Sequence, residues 1–333
     1  MKTIRKGVLI GLAAFLAAGA RGSDTRVGII GLDTSHAIEF TKILNAAKPE
    51  PGFEGFHVTA AYTYGSLDIS SSTNRYPEYT AKMREMGVEI VGSVADLLKR
   101  SDVVLLETND GRRHLEQAVE VFKSGKRVFI DKPVAASLAD AISIFEAAKR
   151  YGVPVFSSSA LRYTQKAQEA RAGKYGQIIA ADAYSPCKLE PTHPDLFWYG
   201  IHGVEPLFTV MGTGCESVVR VSQSDVDFVV GMWKNGRVGT LRGMRGKGAT
   251  YGCDIFAEKG GRMALGGYEG YKPLLKEILK FFRTGAVPVP PEETIEIFAF
   301  MEAAQESKLR GGVPVKLDEV LSKARAEAAK RSF

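Results

Sequence analysis

Several residue types and patterns that would point to particular chemistries are scarce or missing. Cysteine occurs three times in 333 residues, at Cys187, Cys215 and Cys253. With no paired spacing, these make neither a disulfide framework nor a zinc knuckle and read as buried, inert thiols. Histidine occurs five times. The group with most metal-ligand character, Asp33, His36, His193, His202 and Glu205, matches no metal spacing, so no metal is expected. No run of Lys and Arg interleaved with aromatics is present, which argues against nucleic acid as a partner. The net charge of +6 includes Lys2, Arg5 and Lys6, and without them the remainder is only about +3. Internal repeats and low-complexity tracts are absent, and no apolar run is long enough to span a bilayer.

The N-terminal segment MKTIRKGVLIGLAAFLAAGARGS has a basic start, an apolar stretch from Gly7 to Gly19 and a small-residue Ala18-Gly19-Ala20 pattern. That layout predicts a signal peptide over residues 1–20 and export to the periplasm or beyond; an uncleaved anchor is the alternative. No cysteine near the cleavage pattern suggests lipidation, and Arg5-Lys6 is a poor twin-arginine match.

From Thr25 onward, short apolar runs alternate with helical stretches. RVGII, HVTAAYTY, VEIV, DVVLLET, RVFIDKP and VPVFSS read as strands, separated by amphipathic helices such as Ala37–Ala47 and Ser137–Tyr151. Near-continuous apolar strands alternating with helices imply an α/β domain, a Rossmann-type parallel sheet covered on both faces, over residues 24–158. After about Ser159 the pattern changes. Asn235-Gly236 between two strand-like runs is a hairpin signal, and Gly260-Gly261 repeats the idea. Residues 159–333 therefore read as a second α/β domain with antiparallel sheet and flanking helices.

The stretch GIIGLDTSH, Gly28 to His36, lies where a dinucleotide-binding turn would lie. Such a turn needs close backbone approach to the pyrophosphate and a helix N-terminus pointing at it. Gly28 and Gly31 suit the turn, with Thr34 and Ser35 placed to meet the phosphates. Asp33 and His36 stand where glycines are usual. Asp33, Thr34 or Ser35 could instead cap the helix. The acidic residue that would hold the adenosine ribose is missing after Tyr64-Gly65-Ser66, with Asp68 slightly late, so NAD and NADP both stay open.

The stretch DVVLLETNDGRRHLEQAVEVFKSGKRVFIDKP resembles the core of the Gfo/Idh/MocA family, the glucose–fructose oxidoreductase and inositol dehydrogenase group. Thr108 and Asn109 stand at its strand-end turn, His114 matches its histidine and Asp131-Lys132-Pro133 its Glu-Lys-Pro. LRYT, GKYGQI, GIHGVEPLFTVMG, NGRVGTL and YKPLLKEILKFFRTG continue the series in order along the mature chain. The resemblance implies a large open, mainly antiparallel sheet in the second domain. It also implies NAD or NADP held by Gly28, Gly31, Thr34, Ser35, Thr108, Asn109, Asp131 and Lys132.

Lys132 and His202 are the implied catalytic pair. A histidine can take a hydroxyl proton near neutrality, and a lysine can stabilise an alkoxide or, desolvated, accept a proton. The family's aspartate four residues before that histidine is replaced by Trp198; Glu205 and Asp195 are the candidate substitutes. Arg162, Trp198, Tyr199 and His202 are expected to bind a carbohydrate-like small molecule, Trp198 and Tyr199 as a stacking wall or else as buried aromatics. The resulting expectation is an exported NAD(P)-dependent oxidoreductase on a sugar or polyol, with a nucleotide held tightly and recycled, in a homo-oligomer. A non-catalytic binder on the same scaffold, or a lyase, hydrolase or epimerase without net redox change, is the competing reading.

Overall fold

The computed structural model describes residues 24–333; the signal-peptide expectation lies outside the described residues. The first eleven elements alternate strictly: β1 (Thr25–Ile30), α1 (Ser35–Leu44), β2 (Phe56–Tyr62), α2 (Ser70–Glu85), β3 (Glu89–Val91), α3 (Val94–Arg100), β4 (Val103–Leu106), α4 (His114–Lys123), β5 (Val128–Ile130), α5 (Leu138–Tyr151) and β6 (Val155–Ser157). Their strands form one parallel sheet in the order β3-β2-β1-β4-β5-β6. The central strands β4 and β5 are buried at every residue, as parallel strands covered on both faces must be.

Local chemistry sets the helix starts. Ser93 Oγ accepts the Asp96 N–H at the head of α3, and Ser137 Oγ accepts the Asp140 N–H at the head of α5. At its far end α5 stops on Gly152, whose φ of 66° few other residues adopt.

The second half begins with α6 (Gln165–Arg171), β7 (Ile178–Pro186), α7 (Ile201–Met211), β8 (Cys215–Ser222), β9 (Val226–Trp233), β10 (Val238–Met244), β11 (Gly252–Ala257) and β12 (Gly261–Ala264). It ends with α8 (Lys272–Thr284), α9 (Pro291–Leu309), β13 (Val315–Lys316) and α10 (Leu317–Ala328). The seven strands run β12-β11-β7-β10-β9-β8-β13, antiparallel except for the β7–β10 pair. Asn235 and Gly236, with φ of 68° and 74°, make the β9–β10 turn expected of Asn-Gly.

By packing, the border at residue 158 is not a clean cut. Leu274, Leu275, Ile278, Leu279, Phe281 and Phe282 of α8 are buried together with Val27, Ile29, Phe56, Phe129 and Phe156 of the first sheet. The Phe156 and Phe281 rings meet edge to face at 5.0 Å. A helix from the second half thus covers one face of the first domain and joins the two halves beside the strand ends.

Candidate active site

The turn after β1 is built on Gly31. Its φ is 88°, and a Cβ there would stand 2.4 Å from the Thr108 nitrogen, so no other residue fits without moving the chain. Gly28 lies inside β1 instead. A Cβ on it would meet Ser101 and Leu97 at 2.8 and 2.9 Å, so its role is to let α3 approach the strand, not to form the turn.

Asp33 does not cap α1. One carboxylate oxygen accepts the Asn109 N–H at 2.9 Å, tying the turn to the loop after β4. Burial pushes its carboxyl up to about 6 despite the hydrogen bond it accepts from Asn109. Thr34 occupies the N-cap position without a side-chain cap, so the first N–H groups of α1 have no side chain accepting from them. Thr34, Ser35 and His36 line a cleft of about 210 Å³ between the two halves. Asn109 and Lys132 line it from the first half; Ser159, Tyr199, His202, Tyr251, Tyr268 and Tyr271 border it from the second.

Lys132 sits over Asp131. Its backbone N–H donates to Asp131 Oδ1 at 2.7 Å, and its Nζ lies 3.3 Å from Oδ2. Burial works against the ammonium, but the Asp131 charge outweighs it and holds the Lys132 pKa above the ordinary lysine value. The lysine is thus a fixed cation rather than the desolvated proton acceptor considered from sequence. His202, in the first turn of α7, is hydrogen-bonded through Nδ1 to Ser159 Oγ at 2.9 Å. Burial first, then the Lys132 and His36 cations, push its pKa well below the usual imidazole value, leaving it neutral. Tyr199 and Tyr251 pack edge-on against its ring and share a hydroxyl–hydroxyl hydrogen bond of 2.8 Å.

Neither sequence candidate for the missing aspartate reaches His202. Glu205 is paired with Arg162, and Asp195 with Arg220 and Lys308. Ser159, two residues past the end of β6, takes the place beside the ring, a role hidden in the featureless run Ser157-Ser158-Ser159.

Arg162 and Trp198 also lie elsewhere than expected. Arg162 is buried, its Nε held by Glu205 at 2.6 Å and its Nη1 by Glu293 at 2.5 Å. Trp198 packs on His193, ring centres 4.9 Å apart, and does not line the cleft. Its neighbour Tyr199 does, joined by three tyrosines that sequence reading missed. Tyr251 follows β10, while Tyr268 and Tyr271 precede α8, where their three-residue spacing was the available signal.

Thr108 is buried against Gly31, and its carbonyl lies 2.6 Å from His114 Nε2. The other ring nitrogen of His114 lies 3.1 Å from the Val134 carbonyl, so this histidine joins the loops after β4 and β5. Asp68 is held by Arg112 through two contacts of 2.9 Å, which leaves it committed at the edge of a second hollow bordered by Tyr64, Ser66 and Arg113.

The five residues weighed as a metal group do not assemble: Asp33 turns to Asn109, His193 to Asp110, Glu205 to Arg162 and His202 to Ser159. His36 turns instead to Asp131 at 2.9 Å and Glu107 at 3.5 Å. Burial would strip its proton, but Asp131 and Glu107 hold the imidazolium and push its pKa up to about 10. Burial and the Asp131 charge push Glu107 up to about 7.

A nucleotide fits these residues at the turn. The tight turn at Gly31 and the uncapped start of α1 are two features that a pyrophosphate needs, and the Asp33 charge is directed to Asn109.

The model of an oxidoreductase family with an NAD-binding Rossmann fold, GFO_IDH_MocA, matches residues 25–159. No curated protein matches the chain in sequence. Among solved structures, a probable dehydrogenase from Thermotoga maritima superposes with a TM-score of 0.70 at 19% identity, over 89% of this chain and 99% of its own. Scyllo-inositol dehydrogenase from Lactobacillus casei, with bound NAD(H) and scyllo-inositol, gives 0.69 at 14% identity over 89% and 99%. An oxidoreductase from Agrobacterium radiobacter in complex with NAD+, L-tartaric acid and magnesium gives 0.69 at 14% over 90% and 100%. These likenesses show the fold along most of the chain, and the family match covers the domain that carries the turn. Residues 25–159 therefore match the NAD-binding Rossmann domain of the Gfo/Idh/MocA oxidoreductases.

Proposed function

We propose that the protein is an NAD(P)-dependent oxidoreductase acting on a secondary hydroxyl of a sugar or polyol. The observation that carries this reading is the meeting, in one cleft, of the uncapped α1 start, the Lys132 ammonium and a neutral His202 fixed by Ser159. Thr34, Ser35 and Asn109 would hold the nucleotide, whose nicotinamide supplies the hydride acceptor or donor. The tautomer that donates from His202 Nδ1 to Ser159 Oγ leaves the Nε2 lone pair for the substrate hydroxyl proton. Lys132, already charged, stabilises the alkoxide as it develops. The tyrosine hydroxyls and ring faces around the cleft suit a polyhydroxylated substrate, and the inositol-binding relative supports that class.

The basic-apolar start of the chain supports export, and outside the cytoplasm no free nucleotide pool would reload the site. We therefore propose that the nucleotide stays bound and is recycled within each turnover. The exposed face of the second sheet, with Ile179, Val221 and Phe256, supports pairing of subunits. Mass spectrometry of the denatured, as-purified protein tests the nucleotide reading. About one NAD or NADP per chain is expected; none bound, with none taken up at millimolar concentration, refutes it. Ser159→Ala is expected to lower kcat about tenfold, with the nucleotide content unchanged.

A further inference from the structure

The contacts of His36 are not explained by nucleotide or substrate. Its Nδ1 lies 2.9 Å from Asp131 Oδ1 and 3.5 Å from Glu107 Oε2, and one ligand atom from each residue falls within a 4.8 Å sphere of mutual distances. All three residues are buried. Yet His36 Nδ1 and both Glu107 oxygens lack a hydrogen-bond partner. A buried carboxylate with neither oxygen hydrogen-bonded is costly, and one Glu107 oxygen within 4.8 Å of the His36 and Asp131 ligand atoms indicates a missing partner among the three.

We propose that His36, Glu107 and Asp131 bind one divalent transition-metal cation at the floor of the cleft. Metal–ligand bonds of about 2.1 Å separate neighbouring ligand atoms by about 3.0 Å in an octahedron and about 3.4 Å in a tetrahedron. The observed 2.9 and 3.5 Å are edges of that size. One imidazole with two carboxylates suits zinc, manganese, iron or cobalt rather than calcium, which prefers an all-oxygen shell. Each ligand stands on a rigid element: His36 in the first turn of α1, Glu107 and Asp131 directly after β4 and β5. The surroundings are those of a supported site. Lys132 N–H fixes Asp131 Oδ1, and Phe40 and Tyr271 clamp the imidazole at ring distances of 5.2 and 4.6 Å. His36 also borders the cleft, which leaves coordination positions open on that side.

The rival occupant of the same spot is a proton, held by the imidazole between the two carboxylates. The full chain, stripped with EDTA, is titrated with Co2+ while its visible d–d bands are followed, and equilibrium dialysis with Zn2+ and Mn2+ measures stoichiometry. The proposal expects about one equivalent, with affinity reduced at least about tenfold in Glu107→Gln and in Asp131→Asn. Circular dichroism identifies the variants that stay folded; should neither fold, the parent titration decides alone. Binding below about 0.1 equivalent at 100 times the micromolar range typical of such sites overturns the proposal, as does undiminished binding in a folded Glu107→Gln variant. Nucleotide content, measured on the same samples, reports separately on the proposed oxidoreductase function.

Discussion

Replacing Arg162 by Met separates a structural role from the ligand-binding role that its sequence context suggests. The guanidinium bridges Glu205 and Glu293, both buried. Arg171 holds Glu293 from its other side, with contacts of 2.9 and 2.8 Å, so that carboxylate keeps a partner. Glu205 does not. Breaking one side of a buried ion pair typically costs about 3–5 kcal/mol, because a charge is stranded. Here protonation limits the cost. Burial already holds the Glu205 carboxyl above its ordinary value, and loss of Arg162 removes the main influence pulling it down.

Protonating a carboxyl with an unfolded pKa of about 4.3 at pH 7 requires about 3.7 kcal/mol, and that figure falls by about 1.4 kcal/mol per pH unit. The native variant then binds one more proton than its unfolded chain, so its stability falls as pH rises. The deficit against the parent is therefore expected to be about 3.7 kcal/mol at pH 7 and about 1 kcal/mol at pH 5. Equilibrium urea unfolding by circular dichroism at several pH values measures it, with Arg162→Met/Glu205→Gln as the variant in which the slope vanishes. A deficit that stays under about 0.5 kcal/mol at pH 7, or one independent of pH, refutes the reasoning. So would a stable variant whose only defect is weakened substrate binding.

Three further outcomes follow from the packing. Gly31→Ala, with its Cβ 2.4 Å from the Thr108 nitrogen and φ at 88°, is expected to lose at least about 2 kcal/mol in the same unfolding assay and to lose nucleotide on gel filtration. The three thiols are buried, with burial pushing Cys187 and Cys215 up to about 12; a chromogenic disulfide reagent at pH 8 should therefore react with none of them until denaturant is added. A fragment of residues 24–158 should be insoluble or molten by circular dichroism and dye binding. It lacks the six apolar side chains of α8, each contributing about 1.5–3 kcal/mol when buried.

Local periodicity made most of the architecture readable. Strands β4 and β5 are apolar at every position, which only a sheet covered on both faces accommodates, and Asn235-Gly236 marked its hairpin at the correct bond. The start of helix α2 at Ser70 is hard to read, because its polar first turns carry little apolar pattern to detect. Helix α10 and strand β8 were not read at all. The partner of α8 was hidden for a different reason: its apolar stripe is plain in the sequence, but nothing local says that the stripe closes over the first sheet. The site divided along the same line. Lys132, His202, Tyr199 and Asn109 do meet in the cleft, whereas Arg162, whose type and place suggested substrate, is held by carboxylates far away in sequence.

The two replaced glycines of the turn show what such long-range pairing can do to a motif. A carboxylate at position 33 would repel phosphate if it faced the start of α1, yet its oxygen accepts a hydrogen bond from Asn109 and the helix start stays uncapped. A histidine at position 36 would crowd the cleft if its ring pointed outward, yet the ring turns onto Asp131 and Glu107. Each substitution therefore binds the β1–α1 turn to a neighbouring strand end, Asp33 to the loop after β4 and His36 to those after β4 and β5. A glycine-rich turn has no side chains with which to make such ties. In this chain the turn is cross-linked in place, so a nucleotide binding there would meet a turn that is already ordered.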